Sequence, residues 1–148
     1  MGNWTNPIYD RTLYDVESAI RHLNEGVNKV AYKGCFNSSD ANRIEENTQY
    51  LSDVLKELYY FNDITTKTNW NKSSFLNKSS VDRLISNVGA LLIAYHTPLG
   101  SPSLPTTLTH YEHANAIEKN IYLLKVMIDD MVGKFRECND GLECEEDI

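Results

Sequence analysis

The chain has 148 residues, enough for one domain around a single core. A net charge of −7 weighs against nucleic acid or an anionic membrane surface as partner, since both reward Lys and Arg. No apolar run approaches the roughly 20 residues that span a bilayer, and the opening MGNWTNPIYD has neither the basic nor the apolar region of a secretory signal.

Residues 1–10 are predicted to form an N-terminal arm, with Pro7 opposing a helix and Trp4 and Tyr9 as its adhesive points. Thr12 followed by Asp15 signals a helix start. Leu13, Val16, Ile20, Leu23 and Val27 then recur at helical spacing, and Gly26 is placed to end the helix in a left-handed cap. Val30 to Cys35 reads as extended chain or loop. A second helix is expected from Asn37-Ser38-Ser39 to about Tyr60. It turns Ile44, Leu51, Val54, Leu55 and Leu58 inward and Arg43, Glu45, Glu46, Asp53 and Glu57 to water. Asn62 to Asn77 is polar, with Trp70 and Phe75 its large apolar residues, and reads as a loop pinned by Trp70.

The third helix, about Ser79 to Tyr95, is apolar on more than one side and is expected to be the most buried. Gly89 within it suggests a close contact. Thr97 to Thr107 holds three of the four prolines and reads as a stiff connector. Thr109 with Glu112 suggests a capping box for a last helix reaching about Arg136. The chain thus divides into the arm (1–10), a helical bundle domain (11–137) and an acidic tail (138–148). Four such stripes bury themselves against one another, which predicts an all-α fold, an antiparallel bundle of about four helices.

A repeated unit runs through that bundle. Phe36 to Leu51 aligns with Leu76 to Leu91 at an offset of 40 residues (Asn47 on Asn87), and with Thr109 to Leu124 at a further 33 (Asn87 on Asn120). Ile44, Leu84 and Ile117 share one position, Arg43 and Arg83 another. Unequal offsets fit duplicated helical hairpins better than a solenoid. Each shared Asn borders the core stripe, where a buried amide bonds neighbouring backbone; convergence of the three on a ligand is the rival reading.

Chemistry is sparsely signalled. His110 and His113 stand three apart, whereas the metalloprotease HExxH pattern sets its histidines four apart, and no third ligand is indicated. Glu45-Glu46, Asp129-Asp130 and Glu145-Glu146-Asp147 are sequence neighbours that diverge on a helix, and read as solvated. No phosphate loop, GxSxG or Cys/His pairing is recognisable. Cys35, Cys138 and Cys144 are odd in number and are expected to be reduced thiols. The four Asn-x-Ser/Thr triplets reflect an Asn-rich composition. Neither catalytic residues nor cofactors nor metal ligands are assigned. The contact candidates are Trp4, Tyr9 and Trp70, with Tyr59-Tyr60-Phe61 either a contact surface or a cap on the bundle's end.

Several short blocks resemble a known group. Asp10-Arg11-Thr12 with Asp15-Val16, then Lys33-Gly34, Phe36-Asn37, Asp40, Asn42-Arg43-Ile44-Glu45 and Asn47, are similar to a helical domain of minor structural proteins of phages and prophages of low-GC Gram-positive bacteria. Lys67-Thr68 with Trp70, and Tyr111-Glu112 with Ala114-Asn115 and Ile117-Glu118, resemble its later blocks in the same order, so the likeness runs from about residue 10 to 136. The resemblance implies a tail, baseplate or fibre component of a virion or phage-tail-like particle, assembled in the bacterial cytoplasm. Its partners would be other virion or tail proteins or a second copy of itself; the charge and hydropathy of the chain, for their part, predict no nucleic acid bound and no membrane insertion. The resemblance carries no catalytic residues. The rival expectation is a small acidic cytosolic regulator that binds a basic partner protein; an enzyme built around His110 and His113 is third.

Overall fold

A computed structural model describes residues 3–26, 33–74 and 76–141, with side chains described as far as residue 134. It contains four helices: α1 (Leu13–Asn24), α2 (Ser38–Glu57), α3 (Lys78–Ala94) and α4 (Tyr111–Gly141). Half of the stretch expected as extended chain or loop, residues 30–32, lies outside the described residues, as do Val27, Phe75, Cys144 and the tail from 142 onward. α4 runs into the stretch assigned to that tail, ending at Gly141.

The helix starts follow local chemistry. Thr12 and Asp15 form the reciprocal capping box of α1, and Asn37 with Asp40 forms the same arrangement at α2. Asn77 caps α3 through Ser80 N–H. At α4 the expected Thr109–Glu112 box does not form; the His110 ring accepts from Glu112 N–H at 3.3 Å instead. Gly26 takes the left-handed φ of +77° expected just past the end of α1.

The all-α bundle is formed by packing of α2, α3 and α4 on one another. Its core is Ile44, Leu51 and Leu55 from α2, Leu84, Val88 and Leu91 from α3, and Ile117, Ile121, Leu124 and Ile128 from α4. Helices α2, α3 and α4 do not take the expected antiparallel order. Arg43 of α2 meets Glu118 of α4 near both helix starts, and Leu58 and Tyr60, just past α2, share a cleft with Met131 and Val132 far along α4. Arg83 meets Glu45 near the starts of α3 and α2, and Tyr60 meets Tyr95 just past their ends, ring centroids 4.8 Å apart. All three therefore run in the same direction. Their connections permit it: α2 is about 30 Å long, and the linking segments 58–77 and 95–110 can reach further than that when extended.

α1 contributes less to the core than its stripe predicts. Among its residues only Ala19 is buried, while Leu13, Ile20 and Leu23 are about half exposed. It docks by close backbone approach: a Cβ on Gly34 would lie 2.1 Å from the carbonyl oxygen of Asp15. Gly89 has a milder role, since a Cβ there would only touch Leu104 at 3.6 Å.

Candidate functional site

The most concentrated polar chemistry lies where extended segments cross the helices. Asn47 on α2 holds Thr5: Thr5 N–H donates to Oδ1 at 2.9 Å, and Nδ2 donates to the Thr5 carbonyl at 2.7 Å. Asn115 on α4 holds Arg11 in the same two-way fashion, at 3.1 and 2.9 Å. Asn42 on α2 holds Trp70 at 2.8 and 2.9 Å. Asn87 donates to the Thr65 carbonyl and Asn120 to that of Pro102. The three asparagines of the sequence register thus each bond the backbone of a different extended segment. Such segments have no ladder of their own, so the helices supply the groups their backbone needs.

Three buried carboxylates, Glu118, Asp40 and Glu45, reinforce this. Glu118 accepts Ile8 N–H at 3.1 Å, Arg43 Nε at 2.6 Å and Arg43 Nη2 at 2.9 Å. Arg11 Nη2 lies 2.9 Å from Glu118 Oε2 and 3.1 Å from Asp40. Asp40 also receives Arg43 Nη2 at 2.6 Å, so two guanidiniums and two carboxylates close a neutral buried set. Burial works against the Arg43 charge, but its bonds to Glu118, then Asp40, outweigh it and its pKa stands above the ordinary arginine value. Glu45 repeats the pattern: it accepts Lys67 N–H at 2.7 Å and is gripped bidentately by Arg83 at 2.5 and 2.9 Å. Glu45 is fully buried, and Arg43 nearly so, which corrects their expected place on the water-facing side of α2. Helical periodicity sends a charged residue outward by default; a partner charge on a neighbouring helix reverses that. Glu118 was missed as a buried group for the same reason.

The contact candidates are drawn into this scheme. Trp70 is only 7% exposed, with its backbone held by Asn42 and Lys67 Nζ 4.0 Å from its ring centroid. It therefore fills the interior and is not an exposed anchor. Trp4 is half-buried against the core, 5.8 Å from the Tyr50 ring, with Lys125 Nζ at 5.2 Å. Tyr9 is half-buried too, 4.9 Å from the Tyr122 ring, with Lys119 Nζ at 4.3 Å. The arm that carries Trp4 and Tyr9 lies along α2 and α4 rather than projecting from them.

His110 and His113 are 5.9 Å apart between ring centroids, and each Nδ1 accepts a backbone N–H of this turn. Among the described residues no group of three or more His, Cys, Asp and Glu is placed to hold a metal ion, and no helix is long and apolar enough to cross a membrane. Cys35 is a free thiol. No family model, no curated protein and no solved structure matches this chain.

Proposed function

We propose that this chain is a non-enzymatic structural component of a phage tail or phage-tail-like particle, a baseplate, fibre-attachment or other minor virion protein acting through protein–protein contacts. The observation that carries the reading is the use of the buried charges. Arg11, Asp40, Glu45 and Glu118 are each bonded to extended segments or to the charges that hold them, the arrangement of a scaffold. The sequence resemblance points to the same setting. The repeated unit belongs to this reading as well. α2, α3 and α4 begin at Ser38, Lys78 and Tyr111, at the offsets of the sequence register. Arg43–Glu118 and Arg83–Glu45 use the same two register positions, while the third pair is the apolar Ala116 and Ile85. A unit of one extended segment and one helix accounts for these parallels better than a helical hairpin.

Particles purified by density gradient from an induced host that carries the gene test the proposal. The chain co-purifying at fixed stoichiometry supports it; the chain found only in the soluble fraction overturns it. The net charge of −7 favours the second reading, a small acidic regulator of a basic partner protein. That reading expects a soluble one-to-one complex and no particle association.

A further inference from the structure

α1 stands apart from the rest of the fold. The extended segments held by Asn42 and Asn120 pass straight to a helix, Trp70 to α3 at Lys78 and Pro102 to α4 at Tyr111. Arg11, held in the same way by Asn115, is separated from α2 at Ser38 by α1 and residues 25–37. In terms of the unit proposed above, one extended segment and one helix, α1 is an insertion. Its packing is slight, with Ala19 its one buried residue and a backbone approach by Gly34. Yet of the nine large hydrophobic side chains exposed among the described residues, four are on this helix: Leu13, Tyr14, Ile20 and Leu23. Together they leave on the order of 400 Å² of apolar surface in water, a patch of the size that marks a contact.

We propose that this face pairs α1 with the α1 of a second copy, antiparallel across a two-fold axis. The inference rests on the protein-contact reading above and names one of its partners. The face is complementary to itself. Glu17 and Arg21 are exposed beside the apolar residues, one turn apart, and neither forms an ion pair among the described residues; Arg21 reaches the Ser18 hydroxyl at 3.3 Å. With the axis level with Ala19, Glu17 of each helix stands opposite Arg21 of the other, an isologous contact made twice. At about 1.5 Å of rise per residue, Ile20 then lies within about 3 Å of the height of its counterpart, and Leu13 within about 3 Å of the second copy's Leu23. The pairing buries about 800 Å² of apolar surface in all before its polar rim is counted, which places it with weak, reversible dimers. Net charge opposes it little. Six acidic residues and no Lys or Arg lie at 137–148, so residues 1–136 carry −1.

Sedimentation velocity of the full chain over a concentration series tests the proposal. A monomer–dimer equilibrium in the micromolar range is expected. Arg21→Glu and Glu17→Arg should each weaken it at least about tenfold, since like charges then face each other. Mixed in equal amounts, the two variants should form a heterodimer at least as tight as the parent dimer, because Glu then faces Arg at both contacts. Both positions are exposed, so each variant alone should melt within a few degrees of the parent. A parent that stays monomeric up to about 1 mM overturns the proposal. So does a dimer that neither variant weakens, or a mixture that does not associate. Either variant melting well below the parent overturns it too, because the charges would then serve the fold. Dimerisation and particle association are scored separately. A dimer absent from particles removes the virion assignment alone, and a monomer built into particles removes this contact alone.

Discussion

Asn47 and Thr5, 42 residues apart in sequence, are joined by two hydrogen bonds that use both backbone groups of Thr5. The asparagine amide does for an isolated extended segment what a neighbouring strand does in a sheet. Asn115 with Arg11 and Asn42 with Trp70 repeat the device, so the arm and the segment after α2 are parts of the fold.

Ile44, Leu84 and Ile117 are essentially inaccessible to solvent, each at the shared register position of its helix. Ile44→Asp, Leu84→Asp and Ile117→Asp each place an unpaired carboxylate in the core, at a cost of several kcal/mol against a total stability of about 5–15 kcal/mol. All three variants are expected to be unfolded by circular dichroism at 25 °C. Two of them melting within a few degrees of the parent would refute the register.

Glu118→Ala leaves the Arg11 and Arg43 guanidiniums buried with Asp40 as their one remaining carboxylate. Removing one side of a buried ion pair costs about 3–5 kcal/mol. Urea denaturation should show a loss of that size. Glu17→Ala, at an exposed position on α1, should stay within about 0.5 kcal/mol of the parent. Equal behaviour of the two variants would mean that the buried set contributes nothing.

Gly34→Ala drives a Cβ into the backbone of Asp15, which cannot yield as a flexible side chain would. A loss of about 1–3 kcal/mol is expected, with α1 released from the body. Limited proteolysis should cut the variant between α1 and α2 faster than the parent. Unchanged cleavage and stability would show that α1 is not seated by this contact.

Asp15 accepts the Thr12 backbone N–H, then its hydroxyl, and these bonds, with help from Lys33 and Arg11, hold its pKa below 3.8. A carboxylate with a depressed folded pKa contributes stability that is present above its unfolded pKa and lost as pH falls through the folded one. Asp15→Asn should therefore melt below the parent at pH 7, and the gap should close as the pH drops under 3.8. A gap that persists unchanged at low pH would contradict the ionised capping box.

Much of this was legible in the sequence, and the failures have identifiable causes. Helical periodicity located four helices to within a few residues, because the apolar stripes and caps are local signals. It could not give direction, since a stripe records which face is buried and not which way the neighbouring helix runs. Glu45 and Glu118 illustrate a second limit: their partners, Arg83 and Arg43, are 38 and 75 residues away, and only the fold brings them together. An asparagine that borders a core stripe is expected to bond neighbouring backbone, and Asn47, Asn87 and Asn120 do so. Which backbone they reach is again set by tertiary placement. Trp70 was ambiguous for a related reason, as its polar surroundings suggested exposure while the segment folds back.

Helix-borne side chains fasten the extended segments into the bundle, and native-state amide hydrogen exchange tests this most directly. The backbone N–H groups of Thr5, Ile8, Arg11, Lys67 and Trp70 each donate to a helix side chain, Asn47, Glu118, Asn115, Glu45 and Asn42 in turn. These five amides should exchange at rates approaching those of the α2 and α4 core, governed by opening of the whole domain. Exchange at the rates of an unstructured peptide, with the helices still protected, would contradict it.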